Sequence, residues 1–234
     1  MFNPDKHTYI AQRCEGYGHP QNSEFALISA LASEADEVEI ELQKLSDGSI
    51  ITGHTPLWMR NSTEAVMNLE TMMNVLKERN SRKGLRIDIK SSGFEEVVVN
   101  AIVSANLQAK VTFTSNNLEA LKKLKSLSPT SSLSYRIVVG GYLSFLDWGT
   151  YQKSIKAIDS NEYKDIGVTL ESSFGVASRK IVADCLKHGR NVTCVVSQID
   201  QAHALAEIGV TTFLSSSPLK YKPVVVENDG HHHH

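Results

Sequence analysis

Val38-Glu39-Ile40-Glu41-Leu42, followed by the turn Asp47-Gly48 and then by Gly53-His54, is the stretch on which the reading of this chain turns. Residues two apart on an extended strand face the same side, so Glu39 and Glu41 share one face and Val38, Ile40 and Leu42 share the other. A strand at the surface would leave its acidic face in water. A strand covered on both faces would have to give the two carboxylates a cation, because unpaired buried charge costs too much to keep.

The rest of the chain decides between these cases. Strand-like stretches fall at 9–14, 37–42, 85–90, 110–114, 134–139, 166–170, 192–196 and 211–214. Between most of them lie stretches with apolar residues at helical spacing, at 24–33, 63–79, 94–106, 118–127, 176–188 and 200–208. Ser23 and Asn117 are placed to cap two of these helices, and Gly84 and Gly189 to end two others. The region 140–163 is the least regular and is expected to form a looping crossover. Strictly alternating strands and helices predict a parallel sheet, and eight strands in this length predict a closed α/β structure, a (β/α)8 TIM barrel. An open doubly wound sheet is the rival, but no Gly-x-Gly-x-x-Gly turn follows a strand. In a barrel neither face of a strand meets bulk water. With Val38, Ile40 and Leu42 toward the helices, Glu39 and Glu41 turn inward. Leu85-Arg86-Ile87-Asp88-Ile89-Lys90 repeats the pattern, with Arg86, Asp88 and Lys90 opposite Ile87 and Ile89. Charged inward residues near the C-terminal ends of barrel strands mark the active-site end of such a fold.

Composition narrows the function classes. The chain has 234 residues and a formal net charge of -2, so no overall field favours nucleic acid or an anionic membrane. Its lysines and arginines form no basic stripe interleaved with aromatics, and no apolar run is long enough to span a membrane. The start, Met1-Phe2-Asn3-Pro4-Asp5, lacks the charged-then-apolar pattern of a secretion signal. Cys14, Cys185 and Cys194 are odd in number and without metal-ligand spacing, which reads as reduced thiols and a cytoplasmic location. The expectation is one domain over 1–230, followed by a tetra-histidine purification tag at 231–234. A Ser/His/Asp nucleophile is disfavoured, because no Gly-x-Ser-x-Gly elbow occurs.

Taken in order, Gln12-Arg13-Cys14, Pro20-Gln21-Asn22-Ser23, Glu39-Ile40-Glu41, Asp47-Gly48, His54-Thr55, Asp88-Ile89-Lys90 and Ser215-Ser216-Ser217-Pro218 resemble the motif series of the glycerophosphodiester phosphodiesterases. The series spans almost the whole chain, and as a set it is specific although each piece is weak. The resemblance implies a barrel of the phospholipase-C-like phosphodiesterase type, hydrolysing lipid-derived phosphodiesters with one divalent metal. By the same resemblance Glu39, Glu41 and Asp88 are the metal ligands, Arg13 and Lys90 hold the phosphate, and His54 is one of two proton-transferring histidines. An all-oxygen ligand set favours Mg2+ or Ca2+. The competing expectation is that the three acids form internal salt bridges with Arg86 or Lys90.

The chain departs from the family pattern where proton transfer is concerned. Gln12 stands where the family has its first histidine, and an amide does not accept a proton at neutral pH. Cys14 replaces a glycine, Gln21 a glutamate, Thr55 an aspartate, and Ser216 the acid of the last strand. His19, in the following loop, is a candidate to reach in and replace the missing base. Ser172-Ser173 and Ser215-Ser216-Ser217 could meet polar ligand groups, and Trp58 and Trp148 could be substrate aromatics or packing anchors. Two functions therefore stand: hydrolysis of a small phosphodiester, or binding of a phosphate-bearing ligand or protein partner by a pseudoenzyme without turnover.

Overall fold

The computed structural model describes residues 1–56, 59, 67–139, 144–172 and 175–222, with the side chains of 144–146 excepted. The 231–234 tag, Trp58 and Ser173 lie outside the described residues. The strands are β1 Thr8–Ala11, β2 Glu37–Lys44, β3 Ile50–Thr52, β4 Gly84–Ile89, β5 Val111–Ser115, β6 Ser132–Val139, β7 Gly167–Ser172, β8 Val192–Val196 and β9 Thr212–Ser215. The helices are α1 Glu24–Leu31, α2 Leu69–Arg79, α3 Glu95–Ser104, α4 Leu118–Leu127, α5 Ser144–Ala157, α6 Arg179–Lys187 and α7 Ile199–Glu207.

Eight of these strands are parallel and close a barrel in the order β1-β2-β4-β5-β6-β7-β8-β9, because β1 pairs with both β2 and β9. The strand β3 stands outside the ring and pairs antiparallel with β2, extending it as a hairpin over the Asp47-Gly48 turn. There Gly48 takes φ 89°, the left-handed conformation that such a turn needs. Three residues of Ile-Ile-Thr carry too little periodicity to register as a strand in sequence. The hairpin partner on β2 is what fixes them.

Helix starts follow local chemistry. Ser23, Asn68, Asn117 and Ser178 each accept a backbone N–H of the first turn of α1, α2, α4 and α6. Gly189, at φ 70°, follows α6 as the sequence implies. Gly84 does not end a helix: it opens β4, and Asn80 in the left-handed region ends α2. Within 140–163 the described part is the helix α5 and a short 3-10 turn, Asn161–Tyr163.

The apolar core lies between barrel and helices and includes Val38, Ile40, Leu42, Ile87, Ile89, Val168 and Leu170. The opposite faces of the same strands bury Glu39, Glu41, Arg86, Asp88, Thr114, Ser134, Arg136, Thr169 and Thr193. Arg136 on β6 meets Glu39 on β2, strands that are not neighbours in the sheet, so both side chains cross the barrel's interior. The interior is thus polar and charged, and the acidic face of β2 is enclosed. Trp148 packs on the outside, against Tyr151 and under the Lys180 ammonium, as an anchor between α5 and α6. No described helix is long and apolar enough to cross a membrane.

Candidate active site

The charged residues of the barrel occupy levels set by strand register. Glu37 on β2 and Arg86 on β4 pair at the N-terminal end, Nε to Oε1 at 3.2 Å, beside a polar cavity of about 240 Å3. Arg86, the register partner of Glu39, therefore serves Glu37, two residues below Asp88 on β4. Above it, Glu41 and Asp88 are register partners on β2 and β4.

Glu41 is the hub. It is fully buried, yet Arg13 Nε lies 2.7 Å from Oε1, and Lys90 Nζ and His54 Nδ1 lie 2.6 and 2.9 Å from Oε2. Asn22 grips it twice, donating from Nδ2 to Oε1 at 3.2 Å and accepting the Glu41 N–H on Oδ1 at 3.0 Å. Burial alone would raise the Glu41 pKa, but the hydrogen bond to His54 and the charges of Lys90 and Arg13 outweigh it and hold it well below the usual carboxylate range. Lys90 also reaches Asp88 at 2.9 Å. Burial would lower its pKa, and the two carboxylates raise it instead.

The loop after β1 presents the arginine. Gln12–Cys14 form a 3-10 turn in which Arg13 and Cys14 take left-handed φ values of 54° and 57°. Two successive non-glycine residues in that region are strained, and the surrounding contacts hold them there. Arg13 N–H donates to Glu39 Oε1, Cys14 Sγ–H to the Glu39 carbonyl, and Asn22, itself at φ 57°, donates its N–H to the Arg13 carbonyl. Arg13 Nη1 donates to Gln21 Oε1. Gln12 is buried at the head of the turn.

His54 follows the β2–β3 hairpin. The Gln43 side chain fixes that segment by donating to the carbonyls of Gly53 and Thr55. Nδ1 sits 2.9 Å from Glu41 and 3.2 Å from Arg13 Nη2. A carboxylate beside Nδ1 selects the tautomer that donates there, which leaves Nε2 as the nitrogen for a ligand. His19 is exposed and stacks on Phe25, apart from these contacts. Ser215 is buried and accepts the Ser217 N–H, which shapes the loop after β9.

Arg136 on β6 and Glu171 on β7 complete the interior and were not among the residues singled out from sequence. Arg136 is nine-tenths buried, with Nη1 3.1 Å from Asp88, Nη2 3.7 Å from Glu39 and Nε 2.9 Å from Glu171. Burial would lower its pKa, but Asp88, Glu39 and Glu171 raise it and keep the guanidinium charged. Glu39 is the reverse case: burial, with help from Glu41 and Asp88, pushes it up to about 7 against the pull of Arg136. The signal was present in sequence, since Ser134 and Arg136 alternate with Leu133, Tyr135 and Ile137 as the β2 acids do with their apolar partners.

These contacts bear on the divalent cation implied by the family pattern. Every carboxylate oxygen of Glu39, Glu41 and Asp88 faces a donor. Those of Glu39 meet Arg13 N–H and Arg136, those of Glu41 meet Arg13, Asn22, Lys90 and His54, and those of Asp88 meet Arg136, Thr114 and Lys90. Among the described residues no group of three or more His, Cys, Asp or Glu side chains is placed to share a metal ion. As arranged, the donor set does not fit Mg2+ or Ca2+.

No family model and no curated protein sequence matches the chain. Solved structures do match. An Agrobacterium tumefaciens protein assigned to the glycerophosphoryl diester phosphodiesterases superposes with a TM-score of 0.73 at 16% identity, covering 91% of this chain and 94% of that one. A glycerophosphodiester phosphodiesterase from Parabacteroides distasonis gives 0.64 at 19% identity over 90% and 93% of the two chains. A phosphodiesterase from Oleispira antarctica, in complex with the product sn-glycerol-3-phosphate, gives 0.62 at 22% identity over 90% and 93%. The fold is a (β/α)8 barrel. It is similar to the barrels of these glycerophosphodiester phosphodiesterases over nearly the full length of each chain.

Proposed function

We propose that this protein is a divergent glycerophosphodiester phosphodiesterase that hydrolyses a small phosphodiester at the C-terminal mouth of its barrel. The observation that carries this reading is the convergence of Arg13, Lys90 and His54 on the buried Glu41. That convergence falls on the positions of the family's phosphate-binding cations and second histidine. A phosphodiester is an anion whose oxygens gain charge as water displaces the alcohol, so an arginine fork and an ammonium favour both binding and reaction.

In this reading Arg13 and Lys90 hold the phosphate. Water attacks phosphorus, the bond to one ester oxygen breaks, and the leaving alkoxide needs a proton. His54, held through its Nδ1–H by Glu41, takes the attacking water's proton on Nε2 and returns it to the leaving alkoxide. Gln12 positions ligand or water and moves no proton, so one group serves where two would share the task. No step is assigned to a metal ion. The neighbour's bound product makes sn-glycerol-3-phosphate the natural probe of the mouth. A cytoplasmic location belongs to the same proposal.

A second reading, binding without turnover, is favoured by Gln12 itself, since losing one general acid or base typically costs about 10²–10⁴ in rate. Hydrolysis of glycerophosphocholine and of bis(p-nitrophenyl) phosphate, measured beside a His54→Ala control, separates the two. Turnover that falls to background in His54→Ala supports the hydrolase. Binding of sn-glycerol-3-phosphate with wild-type turnover no higher than the control supports the binding protein.

A further inference from the structure

We propose that Arg136 is the resident cation of this site: its guanidinium holds Glu39 and Asp88 together in place of a divalent metal, and the protein takes its phosphate-bearing ligand without Mg2+ or Ca2+. The inference rests on reading the barrel mouth as an anion site and goes beyond that reading in naming what neutralises the acids beneath it.

Arg136 comes from β6 and crosses the barrel to reach acids on β2 and β4, at 3.7 Å from Glu39 and 3.1 Å from Asp88. Glu171 on the adjacent β7 holds its Nε at 2.9 Å and fixes the guanidinium plane. An ion bridging Glu39 and Asp88 would have to sit against this buried, permanently charged group, which already occupies the space between the two acids. Arginine is also the cation suited to such a place, because its charge is delocalised, weakly hydrated and not lost on burial.

The charge balance agrees. Glu39, Glu41, Asp88 and Glu171 face Arg13, Lys90 and Arg136, with His54 as a further cation when protonated. Arginine also differs from a metal in what it offers: it has no open coordination position and does not activate a bound water. Chemistry at the mouth then falls to Arg13, Lys90 and His54, while Arg136 acts as a positioning residue.

The test uses calorimetric titration of the intact protein with MgCl2 and with CaCl2, each without ligand. The wild type is expected to give no saturable binding tighter than about 1 mM, the weak end of protein calcium sites. Arg136→Met keeps bulk but removes the charge and is expected to bind either cation at least about tenfold more tightly, because the acids then lack a counter-ion. In a second arm, sn-glycerol-3-phosphate is titrated into wild type with EDTA and with MgCl2, and the two affinities should agree within about twofold. Micromolar cation binding by wild type, ligand binding that requires the cation, or a folded Arg136→Met that gains no cation affinity would each overturn the proposal. The wild-type titrations decide it even where the variant does not fold. A protein without phosphodiesterase activity would fail the hydrolysis assay and still return the same cation titrations, so the two failures are distinct.

Discussion

Glu41→Gln tests whether the hub holds the barrel mouth together. The substitution keeps shape and removes one charge, leaving Arg13, Lys90 and His54 around a neutral amide. Removing one partner from a buried ion pair typically costs about 3–5 kcal/mol, because the remaining charge is left uncompensated. Here the side chains of Arg13, Lys90 and His54 are 19%, 26% and 44% exposed and recover some hydration, so the lower end applies, about 3 kcal/mol. In a chain of this size that is a fall in Tm of about 6–12 °C. The pH dependence adds a second check. The folded pKa of Glu41 lies well below its ordinary value of 4.5, so its contribution is fully present above that value and is lost as pH falls through the folded pKa. The gap between wild type and variant, measured by urea unfolding, should be full at neutral pH and shrink as the solution is taken below pH 4.5. Carboxylates away from the cluster titrate alike in both proteins and cancel in the difference, and Glu39, which Glu41 helps to raise, titrates near neutral pH, outside the acid window of the comparison. A variant as stable as wild type at neutral pH, or a gap that persists undiminished into acid, would refute the assignment of Glu41 as the charged centre of the cluster.

Gln12→His should raise phosphodiester turnover at least about tenfold by restoring a second proton-transfer group, and unchanged kcat would show that Gln12 is not what limits the site. Asn22→Gly preserves access to the left-handed φ of 57° but removes both side-chain bonds to Glu41. It is expected to cost about 2 kcal/mol in chemical denaturation and to weaken sn-glycerol-3-phosphate binding, and no change in either would separate Asn22 from the site. Arg190 donates to the carbonyls of Ile158, Tyr163 and Ile166, so Arg190→Ala should cost about 2–3 kcal/mol and speed amide exchange in the 158–166 segment, with exchange unchanged there counting against the clamp.

The placement of Glu39 and Glu41 was legible because burial on a barrel strand obeys a period of two, and the same rule put Asp88 and Lys90 on the facing side of β4. What the rule does not supply is the partner across the barrel. Lys90 meets Glu41 and Asp88 through adjacent strands, a contact that register alone makes natural. Arg136 meets Glu39 and Asp88 only because the sheet curves into a ring, which turns β6 toward β4 across β5 and toward β2 beyond it, and the stagger that sets its level is a property of the closed ring. Arg86 illustrates the point from the other side. It shares the inward face of β4 with Asp88, yet lies one level lower and pairs with Glu37. A cluster of inward acids thus reads as a metal site or as a salt-bridge network according to cations on strands far away in sequence. The deciding quantity is the charge balance at each level of the barrel interior. Between Glu39 and Asp88, one register step apart on β2 and β4, that balance is set by Arg136, one residue on a strand carrying none of the motifs on which the family resemblance rests.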